Sequence, residues 1–425
     1  MLRTCMLFPG QGAQYKGMGL HLYERYGFAK TRLAEASDAI GIDLLRLIRE
    51  GPEEQVTLTV NAQPAILVTS FIAYEAIREE TGLEPAYMAG HSLGEITALS
   101  CAGAIPFYDA VRLVRMRGQF MQQAAAPGEG AMISIIGPPA EQIARVCEEQ
   151  SGDDGIAVIS NYNADEQTVI SGNRAVVERC AQQLQEAGGR IVPLQVSAPF
   201  HSPLMEGAAA QFRTEAEKLD YSPLQATVIS NVTAAPYANE AAIADTLTTQ
   251  LTAPVQWVQS MRLLAAEGVV LAVDTGPSTI VANLLKKTSP GMKLFAYDSE
   301  AERNRLHQTF RQAKSSKPSS RTFLSRCLAI AVSTPNANWH HEEYEEGVAK
   351  PYKEIHRLQL QLDEEGRAPT EEEMARAVHM LRSVFHTKRT PVDEQRMRYE
   401  QLMRDTGTEN LFQAKEWMND VGIAQ

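Results

Sequence analysis

The chain has 425 residues, 44% of them hydrophobic and 22% charged, with a formal net charge of -12. That length can bury a large core and form more than one domain, and the composition is that of an ordinary globular protein. The acidic balance argues against non-specific binding to nucleic acid or to an anionic membrane, since both reward basic patches.

In chain order, "RTCMLFPGQG" is a short apolar run closed by Pro and Gly, which predicts a buried first strand entering a loop. "NAQPAILVTSFIAYEAIREE" has helical apolar spacing after Pro64. A short strand near "YMAG" leads into "GHSLGE", and a helix follows through "EITALSCAG". From "AMISIIG" to "RIVPLQV" the pattern is β-α-β-β-α-β, which predicts a ferredoxin-like subdomain over 129–196. "QATVISNVTA" and "VVLAVDTGPS" then read as strands that can return to the first sheet. The expected architecture is α/β, with a large domain of 1–128 and 197–312 interrupted by that insert. "AKSSKPSS" reads as a linker, and 313–425 as a charged, mostly helical extension. Within it, Thr370 before Glu373 is a capping box, and Gly366 and Gly407 are helix stops.

Five dispersed cysteines with no CxxC pair fit reduced thiols in a cytoplasmic protein. No apolar run is long enough for a transmembrane helix, and the opening residues turn to Pro and Gly too early for a signal peptide. No metal is expected, because the adjacent His340 and His341 are poorly placed to share one ion.

GxSxG between a strand and a helix makes Ser92 a candidate nucleophile on a sharp turn, with Gly90 and Gly94 allowing close backbone approach. A serine nucleophile needs a base. His91 is adjacent in sequence, but an elbow points it away from the Ser92 side chain. His201, in the rigid loop "SAPFHSPLM", is the better candidate. No acid falls where an α/β-hydrolase triad needs one: Asp274 follows a strand but comes after His201. A dyad oriented by a backbone carbonyl remains. Leu93, next after the serine, can donate one oxyanion-hole N–H, and Gln11 in "FPGQGAQ" a second. Of Arg112, Arg115 and Arg117, spread around one helix, one can face the pocket and bind a carboxylate.

Together "FPGQGAQYKGMG", "NAQPAI", "GHSLGEITAL", "RMRGQFMQ", "NYNADEQTVISG", "SAPFHSPLM", "SNVTA" and "DTGPS" resemble the malonyl-CoA:acyl carrier protein transacylases, including the acyltransferases of polyketide synthases. The resemblance covers residues 1–310 in order. It implies an α/β-hydrolase-like domain with a ferredoxin-like insert, and ping-pong transfer through a Ser92 acyl-enzyme with His201 as base. It also implies Gln11 and Leu93 as oxyanion donors, the Gln250 carbonyl orienting His201, and Arg117 on the malonyl carboxylate. Gln63, His91, Asn161, Asn163 and Phe200 match cleft positions, and Phe200 before His201 is similar to the malonyl-selective pattern. A hydroxymalonyl or aminomalonyl donor stays open.

The donor implied is malonyl-CoA, with no bound cofactor. The acceptor is the phosphopantetheine of an acyl carrier protein, in the company of a polyketide synthase or non-ribosomal peptide synthetase. The extension and the abrupt start are similar to a free-standing enzyme working in trans. The alternatives are a proofreading acyl hydrolase of the same fold, a housekeeping malonyltransferase of fatty-acid synthesis, and a non-catalytic scaffold. Basic residues of the extension (Lys350, Lys353, Arg376, Arg382, Lys388, Arg389) offer contacts to an acidic carrier, although as many acids lie among them.

Overall fold

Cys5, Met6, Leu7 and Phe8 are all 0% exposed, and they form the central strand of a sheet covered on both faces. The computed structural model describes residues 3–126, 128–196, 198–315, 322–338 and 340–408. Its strands, in chain order, are β1 (Thr4–Phe8), β2 (Tyr87–Gly90), β3 (Gly130–Ile136), β4 (Ala157–Ala164), β5 (Gln167–Asn173), β6 (Arg190–Pro193), β7 (Thr227–Ile229), β8 (Leu271–Asp274) and β9 (Lys293–Ala296). One sheet has the order β7-β2-β1-β8-β9 with every neighbouring pair parallel. Parallel strands joined by helices are buried on both sides, so they read as apolar runs without alternation. The loops after β1, β2, β7 and β8 leave the carboxyl ends of adjacent strands, the usual position of a site in an open parallel sheet.

The second sheet, β4-β5-β3-β6, is antiparallel. Its helices Ala140–Gln150 and Arg174–Glu186 share a core with it through Ile135, Ile143, Ile170, Val177 and Leu184. This is the ferredoxin-like order expected from the sequence. β6 is shorter than expected, ending at Pro193 rather than running through "LQV". β4 carries register shifts at Ile159/Asn161 and Tyr162/Ala164. There it bonds the large domain, with Tyr162 N–H donating to Val255 O and Val255 N–H to Ser160 O, each at 2.9 Å. β9 was not read from the sequence: "KLFA" is only four residues long, one of them charged.

Pro64 does not start its helix, as the spacing after it implied; it lies inside Thr59–Thr81. Proline has no N–H for the carbonyl four residues earlier. That carbonyl, on Val60, accepts instead from Arg115 Nη1 at 2.8 Å, and the same nitrogen donates to Asn61 Oδ1 at 2.6 Å. A tertiary donor thus replaces the lost helical bond.

The catalytic serine candidate sits on a turn of two residues. β2 ends at Gly90, the helix Leu93–Cys101 begins at Leu93, and Ser92 has φ 52° and ψ -109°. A Cβ on Gly90 would stand 1.8 Å from the Gly94 carbonyl carbon, and one on Gly94 2.1 Å from Phe8 O. The helix therefore starts in backbone contact with the strand ends.

The chain divides into two compact units between residues 308 and 309, inside the helix Glu300–Ser315. In the second unit the helices Phe323–Ser333, Lys350–Glu365, Glu371–Thr387 and Val392–Thr406 enclose a cluster that includes Phe323, Leu381, Phe385 and Tyr399. Thr370 and Glu373 form the expected reciprocal capping box. Gly366 and Gly407 end their helices at φ 64° and 61°. Most of the expected linker and residues 409–425 lie outside the described residues. No described helix is long and apolar enough to cross a membrane.

Three stability measurements follow from this geometry. Gly90→Ala is expected to cost about 3 kcal/mol or more in urea unfolding. Gly207→Ala, on a helix where nothing lies within 4 Å of the new Cβ, is expected to be neutral or to stabilise by up to about 1 kcal/mol. Ser92→Gly is expected to raise the unfolding temperature, because a side chain at this φ and ψ stores about 1–3 kcal/mol of strain that glycine largely releases.

Candidate active site

The elbow projects Ser92 Oγ to 2.7 Å from His201 Nε2. The loop after the insert delivers His201, which is 3% exposed and has φ 56°. Its Nδ1 lies 2.7 Å from the backbone carbonyl of Gln250, at the end of the helix Ile243–Gln250. A carbonyl only accepts, so Nδ1 carries the proton and Nε2 is the free acceptor for the serine hydroxyl. Asp274 is remote in its bonding: its carboxylate accepts from Gly276 N–H at 3.1 Å and Ala282 N–H at 3.0 Å.

Arg117 comes from the helix Phe107–Gln123 and is 1% exposed. The other two arginines face elsewhere: Arg112 is exposed and Arg115 braces the Pro64 helix. Arg117 Nη2 donates to Ser92 Oγ at 3.1 Å and to Gln250 Oε1 at 2.9 Å, and Nη1 donates to Gln63 Oε1 at 3.0 Å. Its Nε is buried without a partner. All three acceptors are neutral. Burial, and then the Arg117 charge, push the His201 imidazole down to about 3. Burial lowers the guanidinium itself to about 10, opposed by the Glu95 charge.

Among the described residues, neither the Gln11 N–H nor the Leu93 N–H donates to another group of the chain. Gln11 is held by its side chain, with Nε2 donating to Thr59 Oγ1 at 3.1 Å. Both residues flank the serine: Gln11 on the loop after β1, and Leu93 as the first residue of the elbow helix. A cleft of about 230 Å³ opens over Ser92 and His201 and is lined by Gln11, His91, Asn161, Asn163 and Phe200 as well. His91 does point away from Ser92. It meets Asn163 Oδ1 at 2.8 Å and lies beside the Trp257 ring, 5.3 Å between centroids. Asn161 Oδ1 accepts from Ser160 Oγ at 2.7 Å.

Sequence reasoning missed three members of this cluster: Asn231, Glu95 and Tyr237. Asn231, just past β7, accepts from Ser92 N–H at 2.6 Å through Oδ1 and donates from Nδ2 to Gly90 O at 2.6 Å. Glu95 is 0% exposed and accepts from Gln250 Nε2, the Asn231 N–H and the Tyr237 hydroxyl. A signal for Glu95 was available: it is the one charged residue in the otherwise buried helix "LGEITALSC". Among the described residues no group of three or more His, Cys, Asp or Glu side chains could hold a metal ion.

The acyl transferase domain model matches residues 5–315. A malonyl CoA-acyl carrier protein transacylase of Bacillus subtilis is 33% identical over 395 residues, which span 93% of this chain and 99% of the relative. Its counterpart in Escherichia coli K12 is 41% identical over 288 residues, 68% of this chain and 93% of the relative. Among solved structures, a malonyl-transacylase in complex with a type II polyketide synthase acyl-carrier protein is 36% identical. It has a TM-score of 0.70 and covers 72% of this chain and 99% of that one. The enzyme from Xanthomonas oryzae gives 36% identity and a TM-score of 0.71 over 73% and 98% of the two chains. The α/β fold with its smaller antiparallel subdomain, the serine–histidine pair and these matches agree: the chain belongs to the acyl transferase domain family, among the malonyl CoA-acyl carrier protein transacylases.

Proposed function

We propose that the protein moves a malonyl group from malonyl-CoA, through an ester on Ser92, to the phosphopantetheine thiol of an acyl carrier protein. The observation that carries this reading is Arg117. A buried guanidinium 3.1 Å from the serine oxygen, with only neutral acceptors, fits an acyl group that ends in a carboxylate.

His201 Nε2 takes the Ser92 proton as Oγ attacks the thioester carbonyl, and the Gln250 carbonyl steadies the imidazolium through Nδ1. The oxyanion draws on the free N–H groups of Gln11 and Leu93. As the intermediate collapses, the C–S bond breaks and His201 returns its proton to the departing CoA thiolate. The carrier's thiol then gives its proton to His201 and attacks the Ser92 ester; the C–Oγ bond breaks, His201 returns the proton to Ser92 Oγ, and the carrier leaves as the malonyl thioester. Gln63 helps hold the guanidinium, and His91, Asn161 and Asn163 line the entry. Phe200, 5% exposed, crowds the carbon that would bear an α-branch, which favours malonyl over methylmalonyl. Phosphopantetheine arrives with the partner, so no bound cofactor is required.

The catalytic body is 1–128 with 197–312, the insert is 129–196, and 313–425 is an extension. Sheet membership supports the first two spans. The extension supports a free-standing enzyme acting in trans for a polyketide or mixed peptide assembly line, and the 395-residue match to the Bacillus subtilis relative takes in much of it. In the extension Lys350, Lys353 and Arg376 pair with Glu346, Glu345 and Glu354, and Lys388 is buried on the Ala331 and Thr334 carbonyls. That leaves Arg382 and Arg389, both exposed, as the basic residues best placed for a carrier. Five free buried cysteines support a cytoplasmic setting. A proofreading hydrolase is disfavoured by Arg117, and a scaffold by the assembled serine–histidine pair.

Intact mass measurement with malonyl-CoA and no carrier is expected to show a lasting single malonyl adduct, and little adduct from acetyl-CoA. Arg117→Ala is expected to lower malonyl acylation roughly 10- to 100-fold and to leave acetyl acylation nearly unchanged. Steady CoA release without an adduct would make water the acceptor and sink the transferase reading.

The acid limb of acylation gives an independent check. His201 titrates at about 3 in the folded protein against 6.5 for a free histidine, so the base stays unprotonated well below neutrality. Acylation is therefore expected to persist at pH 5. Removing the positive charge in Arg117→Gln favours the imidazolium and moves that limb to higher pH. Stability follows the same linkage: the folded state binds fewer protons between about 3 and 6.5, so the His201 contribution present above 6.5 is lost as pH falls through that window.

A further inference from the structure

Glu95 is a wholly buried carboxyl group that none of the transfer steps uses. Its Oε2 accepts from Gln250 Nε2 at 2.6 Å and from the Asn231 N–H at 3.1 Å, and its Oε1 accepts from the Tyr237 hydroxyl at 2.5 Å. Two of these three partners, Gln250 and Asn231, also hold the reacting groups. Gln250 gives its backbone carbonyl to His201, its side-chain oxygen to Arg117, and a second bond from Nε2 to Ser92 O at 3.0 Å. Asn231 holds Ser92 N–H and Gly90 O with its side chain.

The direction of these bonds matters. The Gln250 amide could turn over, but a carboxylate only accepts, so Glu95 fixes the amide nitrogen on its own side and the oxygen toward Arg117. Glu95 also supplies the negative charge linked to that guanidinium through a single amide.

Resting on the acyl-transfer reading above, we propose that Glu95 is a positioning residue: through Gln250 and Asn231 its carboxylate aligns His201 and Ser92 and balances the buried Arg117 charge as the imidazolium forms. It does the work of a triad acid at one remove, without touching the histidine. Burial raises its proton affinity to about 7, opposed by the bonds from Tyr237, Gln250 and Asn231 and by the Arg117 charge. Tyr237 and Arg117 are the titratable groups that act on it, and His201 lies beyond Gln250.

The test is the rate of CoA release in a single acylation, with malonyl-CoA and acetyl-CoA, from pH 5 to pH 9. Wild type is expected to fall about tenfold through a step near pH 7, as Glu95 takes up a proton, to a lower plateau that persists toward pH 5. Glu95→Gln keeps the shape, since its oxygen can replace Oε2 while its amide nitrogen donates to a rotated Tyr237 hydroxyl. It is expected to run at the lower plateau throughout with both donors, with no step, no rise in KM for malonyl-CoA and no loss of unfolding temperature. Tyr237→Phe removes a donor that favours the carboxylate, so the step moves to higher pH.

Wild-type rates and an intact step in Glu95→Gln would overturn the proposal, as would a defect that comes only with raised KM and lowered unfolding temperature. If that variant does not fold, an unmoved step in Tyr237→Phe overturns it and a step moved upward supports it. The wild-type malonyl adduct separates the two readings: its absence removes the transferase reading, whereas a normal adduct with an indifferent Glu95→Gln removes only this one.

Discussion

A buried guanidinium with no carboxylate bonded to it directly sets the terms for the whole site. Removing a cation from water costs several kcal/mol unless bonds replace the lost hydration. Arg117 recovers part of that from three neutral oxygens, those of Gln63, Ser92 and Gln250, and leaves Nε without a partner. The incomplete compensation produces three effects. It leaves Nε as a spare donor, which suits the carboxylate of the proposed malonyl group. Added to burial, the larger cause, it opposes a second positive charge and so holds His201 unprotonated. It also requires Gln250 to face its amide oxygen inward, which ties the cation to the same residue that orients the base.

The elbow supplies the second constraint. A serine at φ 52° cannot rest on local preference and must be held. Asn231 grips the peptides on both sides of His91, at Ser92 N–H and Gly90 O, and Gln250 takes Ser92 O. With the serine's own amide so occupied, the N–H groups beside it that have no acceptor within the chain are those of Leu93 and Gln11, the pair proposed for the oxyanion. The same turn that lifts Oγ out of the strand starts the helix at Leu93 and leaves that N–H unused.

Much of this was legible in the residues. Apolar runs at "TCMLF" and "YMAG" mark buried parallel strands because both faces are covered, and the spacing of 129–196 shows the insert because its antiparallel strands and two helices alternate in a fixed order. Ser92 and His201 stand out as candidate nucleophile and base because they are chemically distinctive residue types in recognisable surroundings, whereas spacing left Arg117 level with Arg112 and Arg115 and only the family resemblance singled it out. Pro64 misled the reading because its missing bond is repaired by Arg115, which lies 51 positions along the chain and on another helix. Glu95 and Asn231 were missed for a related reason. Their work is to accept and donate within a network assembled from four separate elements, and no local pattern encodes such a network.

The second unit follows a different logic. Its apolar cluster runs from Phe323 to Leu402 and draws on its own four helices, with a capping box and two left-handed glycine stops defining their ends. A bundle with its own core does not depend on the catalytic sheet for its hydrophobic stabilisation, which domain-sized burial can provide. The constraints on the two halves of this chain therefore differ in kind. In the first, function fixes charged groups inside the core. In the second, the clustered side chains are apolar, Lys388 is buried on the Ala331 and Thr334 carbonyls, and Arg382 and Arg389 are exposed.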